Sequence, residues 1–405
     1  MMKELPGEKI RQNVTEQTMT DQNYDRIIMQ QYKGTEEKEE KIMAEEISLA
    51  QLYQPLTDWY VVNARVLPWR QDPTPYHVWV SEIMLQQTRV EAVRPYYARF
   101  LKELPDVAAL SRCPEEKLLK LWEGLGYYNR VRNMQKAAQT VMEEYGGRLP
   151  ADYEKLRSLR GIGSYTAGAV ASIAFGIPVP AVDGNVLRIL MRVFGDDSDI
   201  ARQSVKTRTE KQLLAFMQDP PMPQPGRFNQ ALMELGATVC LPNGAPLCDA
   251  CPWNRMCRAK AENRIGELPV RTKGAKRRIE HRTVLIIRAG ERVLLHRRPS
   301  RGLLAGLYEF PNVEQTLDEG EAAQTADRMG LTPLRIRRVE DAKHIFSHVE
   351  WHMTGYLIQV DPGSRRPEGM IFAEPEDTAG RYPIPSAFSA YVKYAGVFGK
   401  AEDEM

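Results

Sequence analysis

The stretch Leu159-Arg160-Gly161-Ile162-Gly163-Ser164-Tyr165-Thr166-Ala167-Gly168-Ala169-Val170 decides how this chain is read. It follows a helical segment, Asp152–Ser158, and leads straight into an apolar one. Two glycines two residues apart permit a tight turn with backbone N–H groups facing outward. With the N-terminus of the next helix, such groups bind phosphate without reading base sequence. Gly161 and Gly163 are therefore candidate contacts to a DNA backbone. A lone Gly-x-Gly is usually just a turn, so its surroundings decide its meaning.

Seventy-seven residues after Gly163 comes a cysteine cluster, Cys240-x7-Cys248-x2-Cys251-x5-Cys257. Four thiolates this close can hold a tetrahedral zinc ion or a cubane cluster. Zinc sites usually show two separated Cys-x-x-Cys pairs, or cysteine with histidine. Here one pair is flanked by two single cysteines with no histidine near, which favours iron–sulfur. The role expected is structural: a loop closed at the end of a helical domain, holding Arg258 and Lys260 against a phosphate backbone. Cys113, the fifth cysteine, reads as a small core residue.

Hydrophobic residues make up 43% of the 405 and charged residues 27%, as in an ordinary soluble protein of two or three domains. No run of 18 apolar residues occurs and the start lacks an apolar signal segment, so the expected place is the cytoplasm, at the nucleoid, with no membrane. A net charge of +2 hides an asymmetry. Residues 1–50 hold 7 basic and 11 acidic side chains, whereas Arg258–Arg282 holds nine basic and three acidic. Basic clusters attract phosphate, although a solvated linker is the plainer reading of charge alone.

The periodicity sets the domains. Residues 1–48 form a polar extension expected to lack a fixed fold. Residues 49–265 are helical: Glu116–Trp122, Val131–Tyr145 and Gln212–Met217 repeat apolar residues three and four apart. Residues 266–280 are a basic linker. Residues 281–397 form an α+β domain that opens with a hairpin, Thr283–Ile287 and Arg292–His296 about Ala289-Gly290. It continues with a helix near 319–329, a strand with a bend over 345–360 and a helix over 385–397; residues 398–405 are a tail.

The glycine hairpin, Val182-Asp183-Gly184-Asn185-Val186 and the four cysteines together resemble the helix-hairpin-helix iron–sulfur DNA glycosylase superfamily. Leu67-Pro68-Trp69-Arg70, Trp79–Val90, Trp122–Tyr128 and Gly302–Pro311 resemble its adenine DNA glycosylase (MutY) branch, so that residues 50–395 are covered. One departure is the x7 spacing after Cys240, where the family usually has x6; the turn Pro242–Pro246 absorbs the extra residue. The resemblance implies an all-α domain with a [4Fe–4S] cluster on Cys240, Cys248, Cys251 and Cys257, followed by a Nudix-like domain. It implies a monomer that removes adenine mispaired with 8-oxoguanine or guanine in double-stranded DNA.

Cleaving a base from its sugar needs a flipped nucleotide, a proton for the leaving base and stabilisation of a sugar cation. Glu82, starting a helix in the apolar stretch Val78-Trp79-Val80, suits a general acid because such surroundings keep a carboxyl protonated. The resemblance gives Asp183 the oxocarbenium carbon. Taken singly, Glu82 is a helix-start charge and Asp183 an N-cap. The resemblance further sets Tyr165 and Asn185 around the reacting sugar and base, Arg70 and Gln230 on the adenine, and Gln87 and Tyr127 as wedges filling the emptied stack. Tyr165 stands where lyase relatives carry lysine, which implies a monofunctional glycosylase. In the C-terminal domain the Nudix carboxylate signature is missing from Glu319–Gly330, and Phe346, Ser347 and His348 match the loop that reads 8-oxoguanine. A zinc site on His344, His348 and His352 is disfavoured, since that stretch reads as strand. The competing functions are a bifunctional endonuclease III-like lyase, a non-catalytic iron–sulfur DNA-binding protein and a nucleotide hydrolase.

Overall fold

The computed structural model describes residues 47–272 and 276–396. The 1–48 extension (apart from Ile47 and Ser48), part of the linker at 273–275 and the 398–405 tail lie outside the described residues.

Local signals start the helices. Ser48 caps Leu49–Asn63 through a capping box with Gln51. Thr74 caps Pro75–Leu85, where proline occupies the first helical turn. Asp152 caps Tyr153–Ser158, and Asp183 caps Gly184–Phe194. Two apolar cores then form. One joins chain neighbours: the helices Pro75–Leu85, Val90–Glu103, Asn129–Glu144 and Ser164–Phe175 close around Trp79, Phe100 and Trp122. The other is non-local. Leu52, Leu56 and Tyr60 of the first described helix pack on Val186, Leu190, Phe228, Leu232 and Trp253. A cleft runs between these two cores, lined from both.

The sheet lies downstream, with strands β1 (Arg278–Ala289), β2 (Arg292–Arg297), β3 (Tyr308–Glu309), β4 (Asn312–Val313), β5 (Pro333–Ile345), β6 (Val349–Val360) and β7 (Met370–Ala373). Its order is β3-β2-β1-β6-β5, with β4 on β1 and β7 on β2. β1 and β6 run parallel over their whole length, and β5–β6 is an antiparallel hairpin. The helix Glu319–Arg328 covers one face through Ala322 and Ala326. Phe388 and Tyr391 cover the other.

Two expectations are corrected here. The bent strand over 345–360 is the end of β5, a turn at 346–348 and then β6. The helix over 385–397 is shorter and uneven: a contiguous helical run from Ser386 to Ala395, with a short α turn, Ser389–Val392, between two 3-10 turns, Ser386–Phe388 and Lys393–Ala395. Pro383 and Pro385 lie just before them, and no long apolar period extends them.

The halves are joined by specific contacts. Leu307 inserts into the first helical core. Tyr308 donates to Glu116 at 3.0 Å, Ile384 N–H to Glu123 at 2.7 Å and Arg132 to the carbonyl of Ala305 at 2.6 Å. Among the described residues no helix is long and apolar enough to cross a membrane.

Candidate active site

Glu82 sits in the eighth position of Pro75–Leu85, not at its start as expected. The proline at 75 with Thr74 starts the helix a full two turns earlier. The macrodipole therefore does not explain Glu82. It is 5% exposed and accepts a 2.6 Å hydrogen bond from the Tyr165 hydroxyl. Burial pushes its carboxyl up to about 7; the Tyr165 bond and Arg70 oppose this, and the negative charge of Asp183 adds to it. Tyr165 belongs to Ser164–Phe175, the helix that follows the glycine hairpin, and burial holds its own hydroxyl protonated. Its oxygen also lies 3.6 Å from the Met233 sulfur.

Asp183 enters the same cleft from the other core. It is an N-cap and a site residue at once. One carboxylate oxygen accepts from Val186 N–H and the other from the Asn185 amide, both at 2.8 Å. Burial raises this carboxyl, while those bonds and Arg188 favour its anion. Asn185 is held in turn by Arg188 (2.8 Å), which also donates to the carbonyls of Gly236 and Cys240. At Gly236 a side chain would collide with Asn185, its Cβ only 2.7 Å from the Asn185 Cβ, so only glycine lets the two helices meet. Residues a hundred apart in sequence, Glu82 and Asp183, thus face one space.

Arg70 and Gln230 line the cleft as well. Gln230 is half-buried and accepts from Tyr60 at 3.3 Å. Arg70 donates to Glu234 at 2.8 Å, and Arg65 binds the same carboxylate through Nε and Nη2 at 2.7 and 2.9 Å. Glu234 is fully buried. Burial alone would raise its carboxyl, but the bonds from Arg65 and Arg70 outweigh that and hold it at about 2. Sequence reasoning missed Glu234, Arg65, Met233 and Arg188. A signal was there for Glu234: it lies four residues after Gln230, on the same helix face.

At the hairpin, Gly161 has φ of +80° and a side chain there would strike Asn133, so glycine is required. Gly163 is extended and caps the next helix with open space around it, so no left-handed turn constrains it. Gln87 and Tyr127 are exposed, Tyr127 by 52%. Tyr127 also meets the sheet domain: its hydroxyl is 3.1 Å from Ser347 Oγ. Ser347 and His348 stand exposed on the β5–β6 turn. Phe346 is half-buried, its ring against His344 (4.6 Å between centroids) and Trp351 (4.8 Å). His344 and His352 lie on neighbouring strands, not on one helix face. At the start of Glu319–Arg328, Asp318 and Glu321 are used in capping, each accepting from the other's backbone N–H.

Cys240, Cys248, Cys251 and Cys257 line one small cavity of about 30 Å³, together with Arg192 and Lys260. Arg192 donates to Cys240 Sγ at 3.3 Å. Burial pushes the Cys251 thiol up to about 12 and raises those of Cys248 and Cys257. Among the described residues no three histidine, cysteine or acidic side chains close around a single ion. Leu247 N–H bonds to Val239 O at 2.9 Å, so the seven-residue loop begins and ends at one point. Arg258 and Lys260 follow the last cysteine, with Lys260 turned back to Asn254.

The family described as "HhH-GPD superfamily base excision DNA repair protein" matches residues 80–214, and a NUDIX domain matches 282–394. A solved endonuclease III–DNA complex aligns with 54% of this chain and 98% of that one, at 24% identity and a TM-score of 0.45. Full-length relatives reach further. The adenine DNA glycosylase of Buchnera aphidicola subsp. Baizongia pistaciae is 32% identical over 76% of this chain and 86% of its own. That of Mus musculus is 35% identical over 82% of this chain and 78% of its own. Likeness of that extent runs through both the helical cleft and the sheet that docks on it, and the chain belongs to the adenine DNA glycosylase family.

Proposed function

We propose that this glycosylase removes adenine paired with 8-oxoguanine, or with guanine, from double-stranded DNA by hydrolysis, with Glu82 as the acid and Asp183 as the anion. The observation that carries the reading is the buried Glu82 carboxyl, shifted to about 7, facing the hydrogen-bonded Asp183 carboxylate across one cleft. Two carboxyls with environments this different divide the labour of acid and stabilising anion.

The bond between C1′ and adenine N9 breaks, and its electron pair leaves with the base. The proton on Glu82 neutralises that pair by protonating N7. The Asp183 carboxylate stabilises the cation left at C1′ until water adds and gives its proton to the Glu82 carboxylate, which restores the acid. Free adenine and an abasic sugar result. Arg70, set by Glu234, and Gln230, set by Tyr60, are placed to hold the base. Tyr165 and Asn185 orient the two carboxylates. Among the described residues the lining of the cleft includes arginines but no lysine, which supports a reaction without a Schiff base.

Gly161 and Gly163 contact the DNA backbone in this reading, and Gln87 and Tyr127 fill the gap in the stack. Ser347 and His348 hydrogen-bond the damaged base. Phe346 backs their turn, since its ring already packs edge-on against Trp351. The four cysteines fit a [4Fe–4S] cluster: four thiols line one cavity, with no histidine or acidic side chain among the described residues of its lining. Bound there, such a cluster supplies a cross-link between Cys240, just past the helix Pro225–Thr238, and the basic turn at Arg258. The protein works as a monomer in a reducing compartment, the cytoplasm with access to the nucleoid, a reading supported by five cysteines none of which is paired in a disulfide.

Single-turnover assay of the full chain on an A:8-oxoguanine duplex tests this. Wild type should release adenine and leave alkali-labile DNA without being trapped by borohydride. Intact adenine would reject the reading, and efficient trapping would reject the monofunctional part.

A further inference from the structure

The loops that carry Gln87 and Tyr127 come from separate parts of the helical chain, yet both residues lie in the left-handed region, at φ +59° and +48°. Residues with side chains seldom adopt it, and they stay there only where their surroundings leave no alternative. One side chain touches both loops. Arg130, in the first turn of Asn129–Glu144, donates to the carbonyls of Ile83 (2.8 Å), Met84 (3.3 Å) and Gln86. It also donates to those of Leu125 (2.9 Å) and Gly126 (3.2 Å). The first three are orphan carbonyls at the end of the helix that holds Glu82. The last two directly precede Tyr127.

The guanidinium carbon is 5.4 Å from the Trp122 ring centroid and 5.5 Å from that of Tyr127. Trp122 donates to Gly126 O at 3.0 Å, tying the same loop from beneath. Among the described residues the charge is met by carbonyl oxygens and ring faces, with no ion pair made. Desolvation lowers this guanidinium to about 10, so it stays charged at neutral pH.

We infer that Arg130 is a positioning residue that cross-links the two loops, making Gln87 and Tyr127 one rigid wedge. The inference rests on the wedge role proposed above. Extruding a base costs stacking and pairing energy, and a wedge that yields lets the base return. Carbonyls spread over two loops suit a planar fork of donors; an ammonium is a single point and reaches only one group of them. Arg130 is absent from the cleft lining, so it acts through the wedge and not on the reacting atoms.

The test uses the full chain with Arg130→Met and Arg130→Lys. Three quantities are read: adenine excision from an A:8-oxoguanine duplex, the stopped-flow fluorescence rise of 2-aminopurine as target base, and affinity for a duplex with a tetrahydrofuran abasic analogue. In both variants excision and the fluorescence step should slow together by about tenfold or more, the scale of a small misplacement of reacting groups. Affinity for the analogue, which needs no extrusion, should stay within about threefold, and Tyr127→Ala combined with Arg130→Met should be barely slower than Tyr127→Ala. Equal loss in all three quantities, an unchanged fluorescence step, or additive variants would overturn the inference. If Arg130→Met does not fold, Arg130→Lys decides by the same criteria. A wild type that releases no adenine would instead sink the proposed function.

Discussion

Glu82 is almost wholly out of solvent, while Ser347 and His348 stand in it on the β5–β6 turn. On the function proposed above, the difference follows from what each region does. A carboxyl becomes an acid near neutral pH only by losing water, so the helical cleft buries it and ties it to Tyr165. A hydrogen-bonding edge that reads a base must meet its ligand, so the sheet domain leaves hydroxyl and imidazole exposed. The cleft therefore rests on polar networks that reach between helices, Glu82–Tyr165 and, through Arg188 to the carbonyl of Gly236, Asp183–Asn185–Arg188. The reading turn rests on the β5–β6 hairpin, on bonds from Arg277 and Arg278 to the carbonyls of Phe346 and His348, and on one side-chain contact with Tyr127. Substitutions should accordingly be severe in the first region and selective in the second.

The largest effect expected is on Glu82→Gln, which removes the transferable proton and should slow single-turnover excision by about 10²–10⁴. Retained wild-type rate would break the comparison at its root. In wild type the same rate should fall as pH rises through about 7, because only the protonated carboxyl serves as acid. A profile flat from pH 6 to 8 would count against this.

Glu234→Ala comes next. It strands Arg65 and Arg70 beside a buried gap, and chemical denaturation should show a loss of about 3 kcal/mol, the low end for a broken buried pair because Arg65 is a third exposed. A loss under about 1 kcal/mol would show that solvent repairs the site.

Burial of Glu82 should also be visible as lost stability. Its folded value, about 7, exceeds the ordinary 4.5. The folded state therefore binds a proton that the unfolded chain gives up between those values. That stabilisation is complete below about 4.5 and is lost as pH rises through about 7. At pH 8 Glu82→Gln should thus be more stable than wild type, by roughly 3 kcal/mol at most, with the gap closing toward pH 4.5. A gap that does not change with pH would assign the effect to packing.

The smallest effect belongs to Ser347→Ala. It should cost about 1 kcal/mol, seen as a several-fold loss of preference for A:8-oxoguanine over A:G with folding stability unchanged. Equal loss on both duplexes would place Ser347 outside recognition.

Much of this is legible in the sequence because the signals are local. Helical period, capping residues and the glycine hairpin fix elements within a dozen residues, and cysteine spacing marks a ligand loop. Gln230 reads as an exposed helix residue until the first described helix brings Tyr60 to it. Glu82 reads as a helix start as long as the Pro75 boundary goes unnoticed. Glu234 and Arg130 carry no chemical motif at all; their meaning lies in partners 164 and 47 residues away.

By itself, then, the sequence determined the helical and sheet halves, the hairpin and the thiol set, since each follows from residue types at short spacing, whereas the pair of acids came from the family resemblance. Tertiary structure alone decided that Glu82 is buried enough to keep its proton, that Asp183 faces it, and that Ser347 meets Tyr127. Those depend on which distant surfaces exclude water together, and solvent exclusion belongs to the packed chain, not to any segment of it.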